Sequence, residues 1–177
     1  MTEAVTTVLG AIAGFLAKSA WDLYWQQRQD KKTLQYRKRL DVLEQQLSRF
    51  YWPIYIRLQK DNAVWQRILD RNRDAEDLRA RIGESIESKV ILPNHQETVR
   101  VIQENIHLAQ ADKALEELLL QYVRHVAVYA AMRDAGCKDI DPITLGEPRP
   151  DKLFPVVAER TLRLQAEFDQ LIGRVRP

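Results

Sequence analysis

The chain opens with an uncharged apolar stretch that ends in a group of aromatic residues. Ala4–Ala17 holds fourteen residues without a charge, fewer than the ~20 that a bilayer-spanning helix needs. The long side chain of Lys18 can carry its ammonium to an interface, so the span could extend to Trp25 and reach about 33 Å. Three aromatics stand where an interfacial belt would lie: Trp21, Tyr24 and Trp25. We therefore expect a single membrane-anchoring helix in residues 1–26; the alternative is a helix that packs in protein.

The charges after this stretch predict its orientation. Six cations fall between positions 28 and 39, against Asp30 alone: Arg28, Lys31, Lys32, Arg37, Lys38 and Arg39. The positive-inside rule then places the C-terminal body in the cytoplasm, with the bacterial inner membrane as the expected location. The same cations would lie beside anionic headgroups, so membrane lipid is the expected partner.

One face of the N-terminal helix has the spacing of a helix–helix contact. Its members are three or four residues apart: Thr7, Gly10, Gly14, Lys18 and Asp22. Gly10 and Gly14 form a small-xxx-small pair, which lets two helices approach closely in lipid. We therefore expect a homo-oligomer in which Lys18 and Asp22 pair between neighbours.

Helical periodicity continues through the basic region. Residues 27–52 are expected to form a basic juxtamembrane helix, and residues 53–177 a cytoplasmic bundle. Apolar residues repeat at intervals of three and four, beginning with coiled-coil spacing: Leu40, Leu43, Leu47, Phe50 and Ile54. Pro53 should kink or restart this helix.

Start and stop signals divide the remaining chain. Asp74 is expected to cap a short helix, residues 89–93 to form a connection, and Asn94 with Glu97 to open a helix whose apolar positions are Val99, Ile102, Ile106 and Ala109. Two later boundaries are expected to enclose one long helix: Asp112 and Gly136. A last helix follows from Leu153 to Gly173, with Leu162 among its apolar positions, after a fourteen-residue loop at 137–150. No stretch alternates like a strand, so the predicted fold is all-α, a transmembrane or anchor helix continuing into a four- to five-helix bundle.

The composition and the motifs of the chain exclude several kinds of functional site. The 177 residues are 45% hydrophobic and 29% charged, a balance typical of globular proteins. The single cysteine, Cys137, excludes an internal disulfide and a cysteine-based zinc module. The chain has no GxxxxGK, GxGxxG or GxSxG motif. We expect no metal and no cofactor.

One pair of residues nevertheless suggests an enzyme. His107 follows Arg100 by seven positions, two helical turns, with Glu104 between them. The pair resembles the Arg-x(4–6)-His signature of the HEPN family of all-α ribonucleases. That resemblance implies that Arg100 and His107 would act together on a scissile phosphate. The alternative is a solvated helix face, and His95, in the first turn of its helix, is likewise expected at the surface.

A second set of residues is a candidate for binding an anionic ligand. His125 neighbours Tyr122 and Tyr129 at helical spacing, as a hydrogen-bonded core histidine or as part of a polar pocket. The aromatic run at 50–55 is followed by basic and amide side chains, which could bind a nucleotide by stacking and charge, nucleic acid being less favoured. The alternative is that the aromatic residues pack within the bundle and the cations face lipid headgroups. The candidates are Arg57, Lys60, Asn62, Trp65, Arg124 and His125.

The whole pattern suggests a function class. The anchor, the basic helix and the segments FYWPIYIRLQKDN, LPNHQETVRVIQENIHLA and YVRHVAVY resemble small uncharacterised bacterial membrane-anchored all-helical proteins. Some of those occur near mobile elements and phage-defence genes. The resemblance implies a non-enzymatic, self-associating sensing, scaffold or membrane-effector module with a role in phage defence. The alternatives are the HEPN-like ribonuclease and a soluble helical subunit whose first helix packs into a partner.

Overall fold

Helices make up nearly all of the structure. The computed structural model describes residues 2–64, 66, 83, 85–137 and 142–173, and of the side chains those from residue 18 onward. The described residues contain no β-strand, as predicted. They form five α-helices: α1, Thr2–Gln46; α2, Trp52–Val64; α3, Leu92–Asn105; α4, Lys113–Asp134; and α5, Leu153–Gly173. The chain divides into two compact units, Met1–Asp41 and Val42–Pro177.

The first unit consists of the greater part of α1. No glycine or proline interrupts the helix from Lys18 to Gln46, so nothing in this stretch opposes the continuous helix predicted there. From Lys18 to Gln35 every described side chain is exposed except the half-buried Ser19. The side chains of the apolar stretch at 4–17 lie outside the described residues.

The second unit is built around one apolar core. The seam predicted from the sequence is confirmed, since Leu43, Phe50 and Ile54 are wholly buried. Helix α2 packs against α3 and α5, and α3 packs against α4. Buried residues from all these elements form a single cluster: Phe50, Tyr51, Ile54, Leu58, Val101, Ile102, Ala109, Leu115, Leu119, Tyr122, Val126, Leu153 and Val157.

A π-helical turn joins α1 to α2. It spans Leu47–Tyr51 and ends two residues before Pro53, where the sequence predicted a kink or restart. A π turn adds a residue to the helical repeat, and here two consecutive aromatics, Phe50 and Tyr51, are both buried. The Tyr51 hydroxyl donates to the carbonyl of Ala109 at 2.6 Å, which satisfies a buried acceptor after the end of α3.

Four predicted helix boundaries are confirmed. Asp112 precedes α4, and its carboxylate accepts from the backbone N–H of Leu115 at 2.9 Å. Gly136 follows α4 with φ +76°, a left-handed conformation that favours glycine. Helix α5 covers Leu153–Gly173, the range read from the sequence.

Other expectations were wrong. Residues 89–93 do not form a connection, because a second π-helical turn, Glu87–Ile91, runs directly into α3. Asn94 is therefore inside the helix, and its side chain bonds to α2 instead of capping. Ile106 and Leu162 are exposed, because the buried face of α3 is centred on polar residues and that of α5 on Val157 and Thr161. Asp74 lies outside the described residues.

Candidate functional site

A cluster of polar side chains is buried where α3 packs against α2 and α4. Asp61 of α2 is 2% exposed, His95 of α3 is 4% exposed and Tyr122 of α4 is fully buried. Asn94 and Thr98 complete the buried polar face of α3. Buried polar groups are costly unless they are hydrogen-bonded, so the partners within this cluster decide what it can do.

The two oxygens of the Asp61 carboxylate differ in their contacts with the described residues. Asn94 Nδ2 donates to Asp61 Oδ1 at 2.7 Å and also to the carbonyl of Arg57 at 2.9 Å. Asp61 Oδ2 is buried, has no hydrogen-bond partner among the described residues and lies 3.8 Å from His95 Nε2. Burial raises the pKa of Asp61 to about 6, so a modest change of environment can protonate it.

His95 lies between this carboxylate and a tyrosine hydroxyl. Its Nδ1 is 2.6 Å from Tyr122 Oη. Burial lowers the pKa of His95 to about 3, so the ring is neutral at pH 7. The tautomer with its proton on Nε2 is favoured, because it directs an N–H toward Asp61 and leaves Nδ1 to accept from Tyr122. Burial also raises the pKa of Tyr122, so its hydroxyl stays protonated.

A cavity of about 300 Å³ lies beside Tyr122. Its walls come from α2, α4, the start of α5 and the segment just before α5. The lining residues are Leu58, Asn62, Tyr122, Arg149, Pro150, Asp151, Leu153 and Phe154. The volume is at the lower end of the range of small-molecule sites, which combine an apolar wall with a few polar groups.

Arg149 supplies the positive charge of this cavity. Its Nη2 donates to Asn62 Oδ1 at 3.4 Å, a long hydrogen bond. Its charge lowers the pKa of Asp61, opposing the larger effect of burial, and adds to the lowering of the pKa of His95. The positive charge of Arg149 therefore lies at the cavity and also acts on the ionisable groups of the buried cluster.

Three contacts with α4 hold the segment that carries Arg149. The carbonyl of Glu147 is 2.8 Å from His125 Nδ1, and its carboxylate is 3.3 Å from Arg124 Nε. Gln121 donates to the carbonyl of Pro148 at 3.3 Å. One face of α4 thus fixes the end of the predicted 137–150 loop, whose residues 142–145 form a 3₁₀ turn.

Five of the six predicted ligand residues are described, and the structure does not bring these five together. Asn62 lines the cavity, whereas Arg57 donates to Glu97 at 3.1 Å and links α2 to α3. Lys60 is exposed. Arg124 and His125 hold Glu147, which agrees with the reading of His125 as a hydrogen-bonded buried histidine. Trp65 lies outside the described residues.

The proposed ribonuclease pair does not share one helix face. Arg100 is on α3, and its guanidinium pairs with Glu97 at 2.5 Å and with Glu104 at 2.9 Å. Helix α3 ends at Asn105, and exposed His107 lies in the 3₁₀ turn that follows. The seven-residue spacing therefore does not place the two side chains in α-helical register.

Sequence reasoning missed Asp61, His95 and Arg149 as a group. His95 was expected at the surface, which is wrong, because Tyr122 and Asp61 surround it with polar partners in the core. A signal was present: Asp61 follows Ile54 and Leu58 at seven and three positions, on the apolar face of its helix. No local pattern marks Arg149.

The first unit displays exposed aromatics followed by exposed cations. Trp21 is 62% exposed, Tyr24 56% and Trp25 41%, and Arg28 lies 5.7 Å from the centre of the Trp25 ring. The predicted membrane-surface cations are exposed, except for the half-buried Arg39: Arg28, Lys31, Lys32, Arg37, Lys38 and Arg39. In the part of the chain whose side chains are described, no helix combines the length and apolar character that a bilayer crossing requires.

The predicted oligomerisation face is described only in part. Lys18 and Asp22 are exposed. The side chains of Thr7, Gly10 and Gly14 lie outside the described residues. Among the described residues, no three His, Cys, Asp or Glu side chains are grouped so as to hold a metal ion. Comparisons of the chain with protein-family models, curated proteins and solved structures give no match.

Proposed function

We propose that this protein is attached to a membrane by its N-terminal segment and displays its helical bundle on the cytoplasmic side as a sensing or scaffold module. The observation that carries the proposal is the exposure of Trp21, Tyr24 and Trp25 next to an exposed basic run on the same helix. Large aromatics are amphipathic and favour the headgroup region, and cations favour anionic headgroups.

The order of these features along α1 supports this attachment. The uncharged stretch comes first, the aromatics next and the cations last, which is the order from hydrocarbon to headgroup to water. Arg28 beside the Trp25 ring couples the aromatic and basic zones. On the sequence alone, we extend this proposal in three respects: a single membrane span, self-association through the Gly10 and Gly14 face, and a role in phage defence.

Vesicle flotation and cell fractionation test the attachment. The full chain is expected to sediment with membranes, to resist a high-salt wash and to be released by detergent. Trp21→Ser with Trp25→Ser should weaken flotation with phosphatidylcholine–phosphatidylserine vesicles about tenfold or more. The matched control replaces two exposed leucines of the bundle, Leu145→Ser with Leu162→Ser, and should leave flotation unchanged. A full chain that stays in the supernatant without detergent contradicts the proposal.

Self-association has its own test. Gly14→Leu should lower the oligomeric mass in detergent, because a large side chain separates helices that meet through small residues. Ala13→Leu, one residue away and off the predicted face, is the matched control. Equal masses for the wild type and both variants would show that this face is not the contact.

No observation favours the ribonuclease hypothesis over membrane attachment. It stays a prediction that has a simple assay, RNA cleavage by the purified chain that is abolished by His107→Ala. The hypothesis of a soluble subunit predicts instead that the chain remains soluble together with a companion protein.

A further inference from the structure

We propose that the cavity beside Tyr122 binds a small organic oxyanion, a carboxylate or phosphate on a flat apolar body, and that Arg149 and Asn62 hold the charged group. This site belongs to the bundle and does not depend on membrane attachment. It would give the proposed sensing module a ligand.

The polar side of the cavity fits an oxyanion. The Arg149 guanidinium offers planar paired donors, the geometry that binds carboxylates and phosphates. Its one hydrogen bond to a described residue goes to Asn62 at 3.4 Å, and no other described residue occupies its remaining donors. Asn62 can turn its amide nitrogen toward the same anion. Asp151 also lines the cavity but is exposed, where water screens its charge.

The apolar part of the cavity lining fits a flat apolar body. Leu58, Leu153 and Tyr122 are buried. Phe154 stacks on Tyr55 with ring centres 5.9 Å apart and planes inclined by 10°. His95 Nδ1 holds the Tyr122 hydroxyl through the 2.6 Å contact. These walls are therefore held in place before a ligand arrives, which reduces the ordering cost of binding.

Ligand binding at this site should be coupled to protonation of the buried Asp61 carboxylate. Asp61 is faced by His95 from α3, by Tyr122 from α4, by Arg149 from the segment before α5, and by Lys60 on its own helix. His95 is neutral, so the attraction for the Asp61 carboxylate comes from Arg149 and Lys60. An anion bound to Arg149 offsets part of that attraction and repels the carboxylate. Binding should therefore be accompanied by proton uptake at Asp61 and be tighter at acidic pH.

Titration calorimetry on the full chain in nonionic detergent tests the site with three probes: benzoate, adenosine 5′-monophosphate and inorganic phosphate. We expect at least one organic anion to bind more tightly than inorganic phosphate. Arg149→Gln should weaken that binding about tenfold or more, and Asn62→Ala by a smaller factor. Arg163→Gln, which removes one exposed cation of α5 outside the cavity, is the matched control and should bind as the wild type does.

Binding measurements at two pH values distinguish this site from an ordinary surface cation. The wild type should bind several-fold more tightly at about pH 5.5 than at about pH 7.5, and Asp61→Asn should remove most of this difference. Circular dichroism verifies folding of each variant, and if Arg149→Gln fails to fold, Asn62→Ala decides. Three outcomes overturn the proposal: no binding of either organic anion at about 10 mM, equal binding by the wild type and the cavity variants, or inorganic phosphate binding as tightly as both organic anions.

Discussion

His95 and Asp61 are buried and in contact, and the pKa of each is shifted from its ordinary value. The two shifts have opposite effects on how stability depends on pH. The folded-state pKa of His95 is about 3, below its ordinary value, so its contribution is present above pH 6.5 and is lost as the pH falls. The folded-state pKa of Asp61 is about 6, above its ordinary value, so its contribution is largest under acid and is lost as the pH rises from about 4 to 6. Their effects partly cancel in the wild type.

Single substitutions should expose this cancellation. Between about pH 7 and pH 4.5, His95→Gln should lose about 2 to 3 kcal/mol less unfolding free energy than the wild type, and Asp61→Asn about 2 kcal/mol more. Urea unfolding at the two pH values measures both. His107→Gln removes an exposed histidine and should follow the wild type. Parallel pH profiles for all four proteins would show that the two buried residues do not titrate in this way.

The hydroxyl of Tyr51 also acts at the scale of a single residue. Tyr51→Phe leaves the buried carbonyl of Ala109 without its 2.6 Å hydrogen bond, which should cost about 1 to 3 kcal/mol of unfolding free energy. Tyr55→Phe is the control, because the half-buried Tyr55 hydroxyl has no hydrogen bond within the described residues. Denaturant unfolding compares the two variants. Equal losses would mean that the Tyr51–Ala109 bond contributes little.

At the scale of elements, α4 organises the bundle. One face packs its apolar residues against α3, and polar residues of the same helix bind the segment that carries Arg149. Arg133 and Tyr129, near its C-terminal end, both contact the Glu87 carboxylate, which ties the second π-helical turn to this helix. Helix α4 ends at Asp134, and Gly136 follows it.

Gly136 makes that termination possible. Gly136→Ala should lower the unfolding free energy by about 1 kcal/mol, because a residue with a Cβ is strained at φ +76°. Gly83→Ala is the matched control: this glycine is helical and no described residue lies within 4 Å of the added Cβ, so the change should be neutral or stabilising. Thermal unfolding of the two variants measures the difference, and a Gly136→Ala variant as stable as Gly83→Ala would contradict the expectation.

At the scale of the whole molecule, charge is concentrated in one window of an otherwise balanced chain. The net charge is +2, yet the exposed cations of α1 are nearly unopposed between positions 28 and 39. The cations of this surface add an electrostatic contribution to the binding of anionic lipid, and salt should weaken that contribution while the N-terminal segment keeps the chain on the membrane.

The cations that follow Trp21, Tyr24 and Trp25 should contribute most to this electrostatic binding. Lys31→Gln with Lys32→Gln should weaken binding to phosphatidylserine vesicles about 30-fold at low salt, at about 1 kcal/mol per charge. The control pair, Lys89→Gln with Lys113→Gln, removes two exposed cations from the bundle and should have little effect. Flotation at about 0.1 M and about 0.5 M salt makes the comparison. Equal losses for both pairs would indicate a response to net charge alone.

Much of the fold was readable from the sequence, because helix signals are local. The repeat through Leu43, Phe50 and Ile54 identified a buried seam, and Asp112, Gly136 and Leu153 marked helix boundaries that the structure confirms. Such signals depend on neighbours one or two turns away, which the sequence displays directly. The basic and aromatic pattern of α1 was readable for the same reason.

Only the tertiary structure decided which polar residues are buried. Burial of Asp61 and His95 is tolerated because Asn94 and Tyr122, distant in sequence, offer them partners. The cavity exists because a loop residue, Arg149, is held near Asn62 by contacts with α4. No local pattern encodes an encounter between residues 87 positions apart, so packing alone created the candidate site.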